Sequence, residues 1–145
     1  MTIEKLEEII TQQADSIEKN GNSWNFSFKE RVFICVADKN ANRMRIISPI
    51  AKREQLNEEL ILNALVANFH TALDVKYAIS DEILWSVFTH PLKELSEHQV
   101  KDAISQVYYA NITFGTIFSS TNLTFPGNKK KKKLQKKSNF KLEKI

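Results

Sequence analysis

WNFSFKERVFICVADKNANRMRIIS, residues 24–48, decides the fold, because it contains three apolar runs separated by short polar connections. Residues 24–28 alternate apolar and polar side chains, which predicts a half-buried strand. Residues 32–37 are apolar on both faces, which predicts a central strand. Residues 43–48 alternate again, and Pro49 is expected to end that strand. Because the connections are short, we expect the three strands to pair antiparallel.

Helices and two further strands are predicted around this region. Apolar residues from Ile3 to Ile17 recur at helical spacing up to Asn20-Gly21, and residues 52–69 form a second helix. Residues 73–79 and 83–89 alternate as strands, and a last helix begins at a capping box of Ser96 and Gln99. The predicted class is α+β, in the order α-β-β-β-α-β-β-α. We expect a twisted antiparallel five-stranded sheet with helices packed on one face.

The second helix carries more apolar side chains than one contact with a sheet can cover. Its expected inward residues are Leu56, Leu60, Ala64 and Ala67. The other apolar residues then form an exposed patch, which monomers of this size rarely carry. These residues are Leu62, Leu65, Val66 and Phe69. We expect two copies to cover the patch about a two-fold axis. The sequence is also consistent with the opposite arrangement, in which the second set of residues faces the sheet and the first set is exposed.

Charge divides the chain into two parts. Residues 129–145 hold nine lysines and one glutamate, a balance of +8, whereas residues 1–128 carry −4. We therefore expect one domain over residues 1–125 and a Lys-rich, disordered tail over residues 126–145. Five consecutive lysines could bind a nucleic acid or an anionic membrane surface, or they could serve only as a solvated tail. They are Lys129, Lys130, Lys131, Lys132 and Lys133.

Composition excludes several classes of protein. The lone cysteine, Cys35, cannot form an internal disulfide, which favours a reducing compartment. The acidic start of the chain lacks the pattern of a secretory signal, and no apolar run approaches the roughly 20 residues of a membrane span. The three glycines lie too far apart for a phosphate-binding loop. We therefore expect a cytoplasmic protein.

The residue types that most often carry catalysis or bind metals are isolated from one another. His70, His90 and His98 have no partner at metal-ligand spacing, which argues against zinc. Cys35 lies in a run expected to be core, where a thiol is inert, although a Cys–His pair can form in space without any sequence signal. We predict no catalytic residue, no cofactor and no metal site, and hence no enzyme.

The acidic and aromatic residues suit structural roles better than a site. Asp81 and Glu82 are adjacent in a predicted turn, where they fit a solvated hairpin. Trp24, Tyr77 and Trp85 could line a ligand cleft. Aromatic residues at strand spacing more often belong to the core, and we favour that interpretation.

Four stretches form an ordered set: RMRIISPI (43–50), LDVKYAI (73–79), LWSVFTHPL (84–92) and TFGT (113–116). Together they resemble the YbjN-like family of bacterial proteins, which shares the type III secretion chaperone fold. The resemblance covers about residues 1–120, although typical relatives carry more glycine and arginine near these stretches and lack the Lys-rich tail. It implies an α+β fold around a twisted antiparallel sheet that is commonly dimeric and has no known catalytic residues. Secretion chaperones bind extended client segments along their sheet and helix surfaces.

Two functions from different classes are consistent with these observations. The first is a non-catalytic protein-binding module, chaperone- or adaptor-like and with a possible regulatory role, that acts as a homodimer. Its client segment would add as an edge strand or lie against an apolar groove. The alternative is an anion-binding regulator whose Lys-rich tail contacts nucleic acid or an anionic membrane surface.

Overall fold

A computed structural model describes residues 1–121, which form three α-helices, six strands and one 3₁₀ turn. In chain order these are α1 (Ile3–Gln13), β1 (Ser16–Asn20), β2 (Ser23–Phe28), β3 (Arg31–Asp38), β4 (Arg43–Lys52), the 3₁₀ turn (Arg53–Gln55), α2 (Glu58–His70), β5 (Lys76–Ser80), β6 (Ile83–His90) and α3 (Glu97–Ile112).

The strands form one antiparallel sheet in the order β1-β2-β3-β4-β6-β5. Consecutive strands pair through short turns, as the sequence predicts for β2, β3 and β4. The segment that contains α2 and β5 leaves the sheet after β4 and returns so that β6 pairs with β4. This places β1 and β5 at the two edges of the sheet, with β3 and β4 near its centre.

The sheet has six strands where five were expected, because the first helix ends earlier than its apolar spacing predicts. α1 stops at Gln13, and residues Ser16–Asn20 form β1 instead. Ile17 fits helical spacing after Ala14, but it equally fits a strand in which it lies opposite Phe26. Pairing with β2 provides backbone hydrogen bonds along five residues, whereas a helix extension would bury only this one further apolar side chain.

Three further boundaries differ from prediction. β5 spans Lys76–Ser80 rather than residues 73–79. Pro49 does not end β4, which continues to Lys52 with a shift of register between Pro49 and Ala51. A bulge accommodates a residue that has no N–H to donate. The second helix begins after Asn57, whose side-chain oxygen accepts a hydrogen bond from the Leu60 N–H at 2.8 Å, rather than at residue 52.

Helices α1 and α3 cover one face of the sheet and enclose the core. The predicted capping box at the start of α3 is confirmed: Ser96 Oγ accepts from the Gln99 N–H at 3.1 Å, and Gln99 Oε1 accepts from the Ser96 N–H at 2.8 Å. The largest fully buried side chains come from both helices and from the inward positions of β2, β3 and β4. They include Leu6, Ile9, Ile10, Trp24, Phe33, Met44, Ile46 and Ile104.

Cys35 lies in this core, and its burial raises the pKa of the thiol to about 12. Because an unfolded thiol ionises near pH 8.5, we expect the free energy of unfolding to fall as the pH rises from about 8.5 towards 12. Cys35→Ala should make the free energy of unfolding fall less steeply with pH. Urea unfolding between pH 8 and pH 11 measures this dependence for both proteins. The slopes against pH are compared, rather than the free energies themselves, because the substitution also changes packing.

The same burial predicts that a soluble thiol reagent labels Cys35 only after denaturation. Labelling of the native protein as fast as that of the denatured chain would contradict the core position of β3.

Candidate functional site

One side of α2 presents apolar side chains to solvent. Leu62, Leu65 and Phe69 are 44%, 59% and 85% exposed, and Val66 beside them is half-buried. Steps of three, four and seven residues place all four on the same side of the helix. We call these four residues the α2 face. The structure therefore brings the predicted patch together as exposed surface, while its role as an interface stays a prediction.

The opposite side of α2 is built mainly from small residues. Ala64 and Ala67 are buried and Leu60 is partly buried, as expected of the inward set, whereas Leu56 is buried before the helix begins and is not on either of its sides. Alanines let the helix approach β5 closely, and the larger apolar side chains are left on the outside. The expected assignment of the two faces is thus the one that the structure has.

The second uncovered apolar region is the face of the sheet opposite α1 and α3. It is formed by alternate residues of the three central strands β3, β4 and β6. We call it the outer sheet face, and its apolar residues are Val32, Ile34, Val36, Ile47, Trp85 and Val87. Val32 and Val36 are 59% and 44% exposed, and the other four are half-buried.

The outer sheet face is not predicted from the sequence. A run that is apolar at every position, such as residues 32–37, predicts a central strand but does not indicate whether both of its faces are covered. In the structure β3 is indeed a central strand, and Phe33, Cys35 and Ala37 are buried on its inner side. Its other apolar positions lie on a face that no described helix covers.

Two arginines lie at one end of the outer sheet face. Arg43 and Arg45 are exposed on β4, and Arg45 lies between Val36 of β3 and Thr89 of β6 in the strand register. The Arg45 Nε donates to Thr89 Oγ1 at 3.3 Å, and Arg43 Nη1 donates to the Asn42 carbonyl at 2.8 Å. Within residues 1–121 the ion pairs are Lys5–Glu8, Lys19–Glu7 and Lys101–Glu97, so neither arginine is in one.

The two edges of the sheet differ. At the β5 edge, the Asn68 side chain of α2 binds the backbone of Tyr77: Oδ1 accepts from the Tyr77 N–H at 2.8 Å, and Nδ2 donates to the Tyr77 carbonyl at 3.1 Å. The amide therefore takes the place of a neighbouring strand. At the other edge, β1 pairs with β2 alone among the described strands, and its outer side is open.

The remaining residues that sequence analysis considered do not assemble into a reactive site. In residues 1–121 no group of three His, Cys, Asp or Glu side chains is placed to hold a metal ion. His70 follows α2 face residue Phe69, His90 ends β6, and His98 is exposed at the start of α3. Asp81 and Glu82 form the exposed β5–β6 turn.

The aromatic residues divide between the core and the surface. Trp24 and Tyr77 are buried, and the Tyr77 hydroxyl donates to the Ala110 carbonyl of α3 at 2.7 Å. Both are therefore core residues, as favoured above. Trp85 lies instead on the outer sheet face, where its indole N–H donates to the Ser80 carbonyl at 3.1 Å. The three do not line a common cleft.

The lysines Lys129–Lys133 lie outside the described residues, so the proposed anion-binding tract has no structural account. Among the helices of residues 1–121, none has the length and apolar character needed to cross a membrane.

Several solved structures share this fold. A chain of the HopA1–SchA chaperone–effector complex superposes with a TM-score of 0.61 at 11% identity, covering 77% of this chain and 92% of that one. A chain of the Yersinia pestis complex between the type III secretion chaperone SycH and a stable fragment of YscM2 superposes with a TM-score of 0.59 at 14% identity. The match covers 79% of this chain and 100% of that one. A chain of the ExsC–ExsE complex superposes with a TM-score of 0.60 at 11% identity, and the match covers 77% of this chain and 89% of that one.

At these identities the likeness shows the fold alone, an α+β fold shared with a chain of the complex that includes the type III secretion chaperone SycH and with a chain of the HopA1–SchA chaperone–effector complex. No protein-family model matches the sequence, and neither does any curated protein. The resemblance to the YbjN-like family in particular therefore stays a prediction.

Proposed function

We propose that this chain is a non-catalytic protein-binding module, chaperone- or adaptor-like, that acts in the cytoplasm as a homodimer and binds a segment of a client protein. The observation that carries the proposal is the presence of two separate apolar surfaces, the α2 face and the outer sheet face, on one small domain. Monomers of this size rarely expose such patches without a partner. The likeness to structures of chaperones bound to their partners supports the same conclusion.

The two surfaces suit different partners. The α2 face is a single helix side, and two copies related by a two-fold axis would cover each other's Leu62, Leu65 and Phe69. The outer sheet face is broader and carries charged as well as apolar side chains, which fits a partner of different composition. The open edge at β1 offers a second mode, in which a client strand extends the sheet through backbone hydrogen bonds.

Affinity capture from native lysate, read by mass spectrometry, tests the client-binding role with three forms side by side. Wild type is compared with Val36→Glu, which places a charge on the outer sheet face, and with Ile112→Glu as the control. Ile112 is 39% exposed, close to the 44% of Val36, but it lies on α3. We expect a defined set of proteins to be captured by wild type and Ile112→Glu and lost with Val36→Glu. Identical sets from all three forms would refute client binding at this face.

A second candidate rests on the charge of the Lys-rich tail. The +8 of residues 129–145, next to a body of −4, favours contact with nucleic acid or an anionic membrane surface. Binding to DNA and to anionic liposomes at 50 and 300 mM salt is compared for the full chain and for a form ending at residue 128. Salt-sensitive binding that disappears with the deletion supports this candidate. Binding that survives the deletion shows that the tail is not the binding site.

A further inference from the structure

A partner that binds the outer sheet face would contact mainly side chains and little of the backbone. Its central row runs across the sheet through Asn25, Ile34, Ile47, Val87 and Lys76, each opposite the next in the register. The backbone groups of β3, β4 and β6 are used in pairing within the sheet, with one another and with β2 and β5. β3, β4 and β6 together span about 10 Å, and Val32 to Val36 about 13 Å along the strand. This footprint suits a short segment of a partner chain.

The apolar part of this face ends at the two arginines. Arg43 and Arg45 project on the same side of β4 as Ile47, with Cα atoms about 6.6 Å apart. Asp38 lies opposite Arg43 in the register, but its Oδ1 accepts from the Ala41 N–H at 3.0 Å, and the two side chains form no ion pair. Both guanidinium groups therefore keep N–H donors that face solvent next to an apolar surface.

The surrounding charge makes these arginines distinctive. Residues 1–128 carry a net charge of −4, so Arg43 and Arg45 are a local concentration of positive charge on an acidic body. Lys76 borders the apolar row on its β5 side, and Glu18 lies beyond Asn25 at the β1 side. The cations are thus gathered at one end and one side of the apolar surface, rather than spread over it.

The same charges argue against two other occupants. The Lys-rich tail of this chain would bring like charge to the arginines, which opposes binding. A second copy packed face to face would bring two further arginines to the contact, and its carboxylates lie only at the border, at Asp38, whose Oδ1 accepts from the Ala41 N–H, and at Glu18 on the β1 edge. Neither occupant matches the guanidinium donors as an acidic segment does.

We infer that the outer sheet face binds a segment of a partner protein that combines apolar residues with acidic residues, its carboxylates paired with Arg43 and Arg45. Guanidinium groups bind carboxylates through two parallel hydrogen bonds, so they select for acidic residues in a way that apolar contact does not. This inference rests on the proposed function and adds the chemistry of the client segment.

A random library of 12-residue peptides, selected separately on three forms of the full chain, tests the inference. The forms are wild type, the charge reversal Arg43→Glu with Arg45→Glu, and the control Arg53→Glu, which changes an exposed arginine in the 3₁₀ turn. Wild type and the control are expected to enrich peptides with acidic residues next to apolar ones. The charge reversal should lose that enrichment and favour basic residues.

One enriched peptide is then synthesised with its glutamates and aspartates intact and with each replaced by its amide. We expect wild type to bind the acidic form at least tenfold more tightly than the amide form, and the charge reversal to bind the acidic form no more tightly than the amide form. A peptide set with no acidic preference, a preference that survives the charge reversal, or the absence of any selected peptide would overturn the inference. A change of oligomeric state in the charge reversal without a change in peptide preference would assign the face to a second copy, and would also overturn it.

The affinity capture described above separates this inference from the proposed function. If Val36→Glu loses the captured proteins while the charge reversal keeps them, client binding stands and the acidic preference fails. If Val36→Glu keeps them, client binding at the outer sheet face fails, and this inference fails with it. If wild type captures no defined set of proteins, the proposed function itself fails.

Discussion

Leu65→Asp is expected to convert the protein from a dimer to a monomer at micromolar concentration. Leu65 is 59% exposed in the middle of the α2 face, where two copies would bury it. The substitution would place an unpaired carboxylate in an apolar contact, and the two-fold axis would repeat it in the partner. An uncompensated buried charge typically costs about 3–5 kcal/mol, so we expect the dissociation constant of the dimer to rise more than a hundredfold. Light scattering coupled to size exclusion measures the change.

The control for this prediction is Ile112→Asp, which introduces the same charge at an exposed aliphatic position of α3. It should remain dimeric. A wild-type protein that is monomeric at micromolar concentration, or a Leu65→Asp variant that stays fully dimeric, would remove the α2 face as the site of self-association.

Asn111→Asp should cause a large loss of stability although it hardly changes the shape of the side chain. Asn111 is 5% exposed, and its Nδ2 donates to Ser48 Oγ at 2.7 Å and to the Pro49 carbonyl at 3.1 Å. Ser48 Oγ in turn donates to the Val32 carbonyl at 2.7 Å, so the amide links α3 to two strands. A carboxylate has no proton to donate there, and we expect a loss of roughly 3–5 kcal/mol at pH 7.5.

The pH dependence separates this mechanism from a general loss of packing. Burial raises the pKa of a carboxyl group, and its protonated form regains a donor. The folded variant would bind a proton more readily than the unfolded chain, so the deficit relative to wild type should shrink as the pH falls from 7.5 to 4.5. Urea unfolding at both pH values measures it. Asn40→Asp in the exposed β3–β4 turn is the control, and an equal loss in both variants would contradict the prediction.

The sequence predicts the structure correctly where residues close together in the chain determine it. The capping box of Ser96 and Gln99 acts within four residues, and the alternation in β2 needs no distant contact to be recognised. The excess of apolar residues in α2 likewise predicted an exposed side, because a helix can turn only one stripe to a single sheet. Each of these features can be recognised from a short stretch of the sequence without knowledge of the rest of the chain.

Other features depend on contacts between distant residues. Ile17 fits both a helix and a strand, and only its pairing with Phe26 decides between them. Asn111 and Ser48 are 63 residues apart, so nothing near either one indicates that they bond. Whether Val32 and Val36 are buried depends on which side of the sheet the helices occupy, and alternation alone cannot distinguish a covered face from an open one.

The amide of Asn68 also limits how molecules of this protein can associate through their sheets. Growth of a fibre by strand pairing requires two open edges on each molecule, so that the β1 edge of one copy meets the β5 edge of the next. Asn68 occupies the Tyr77 N–H and carbonyl in the middle of the β5 edge, which interrupts that head-to-tail addition. Strand pairing between copies is then restricted to β1 against β1 about a two-fold axis, an arrangement that closes after two molecules and leaves no end from which a filament could extend.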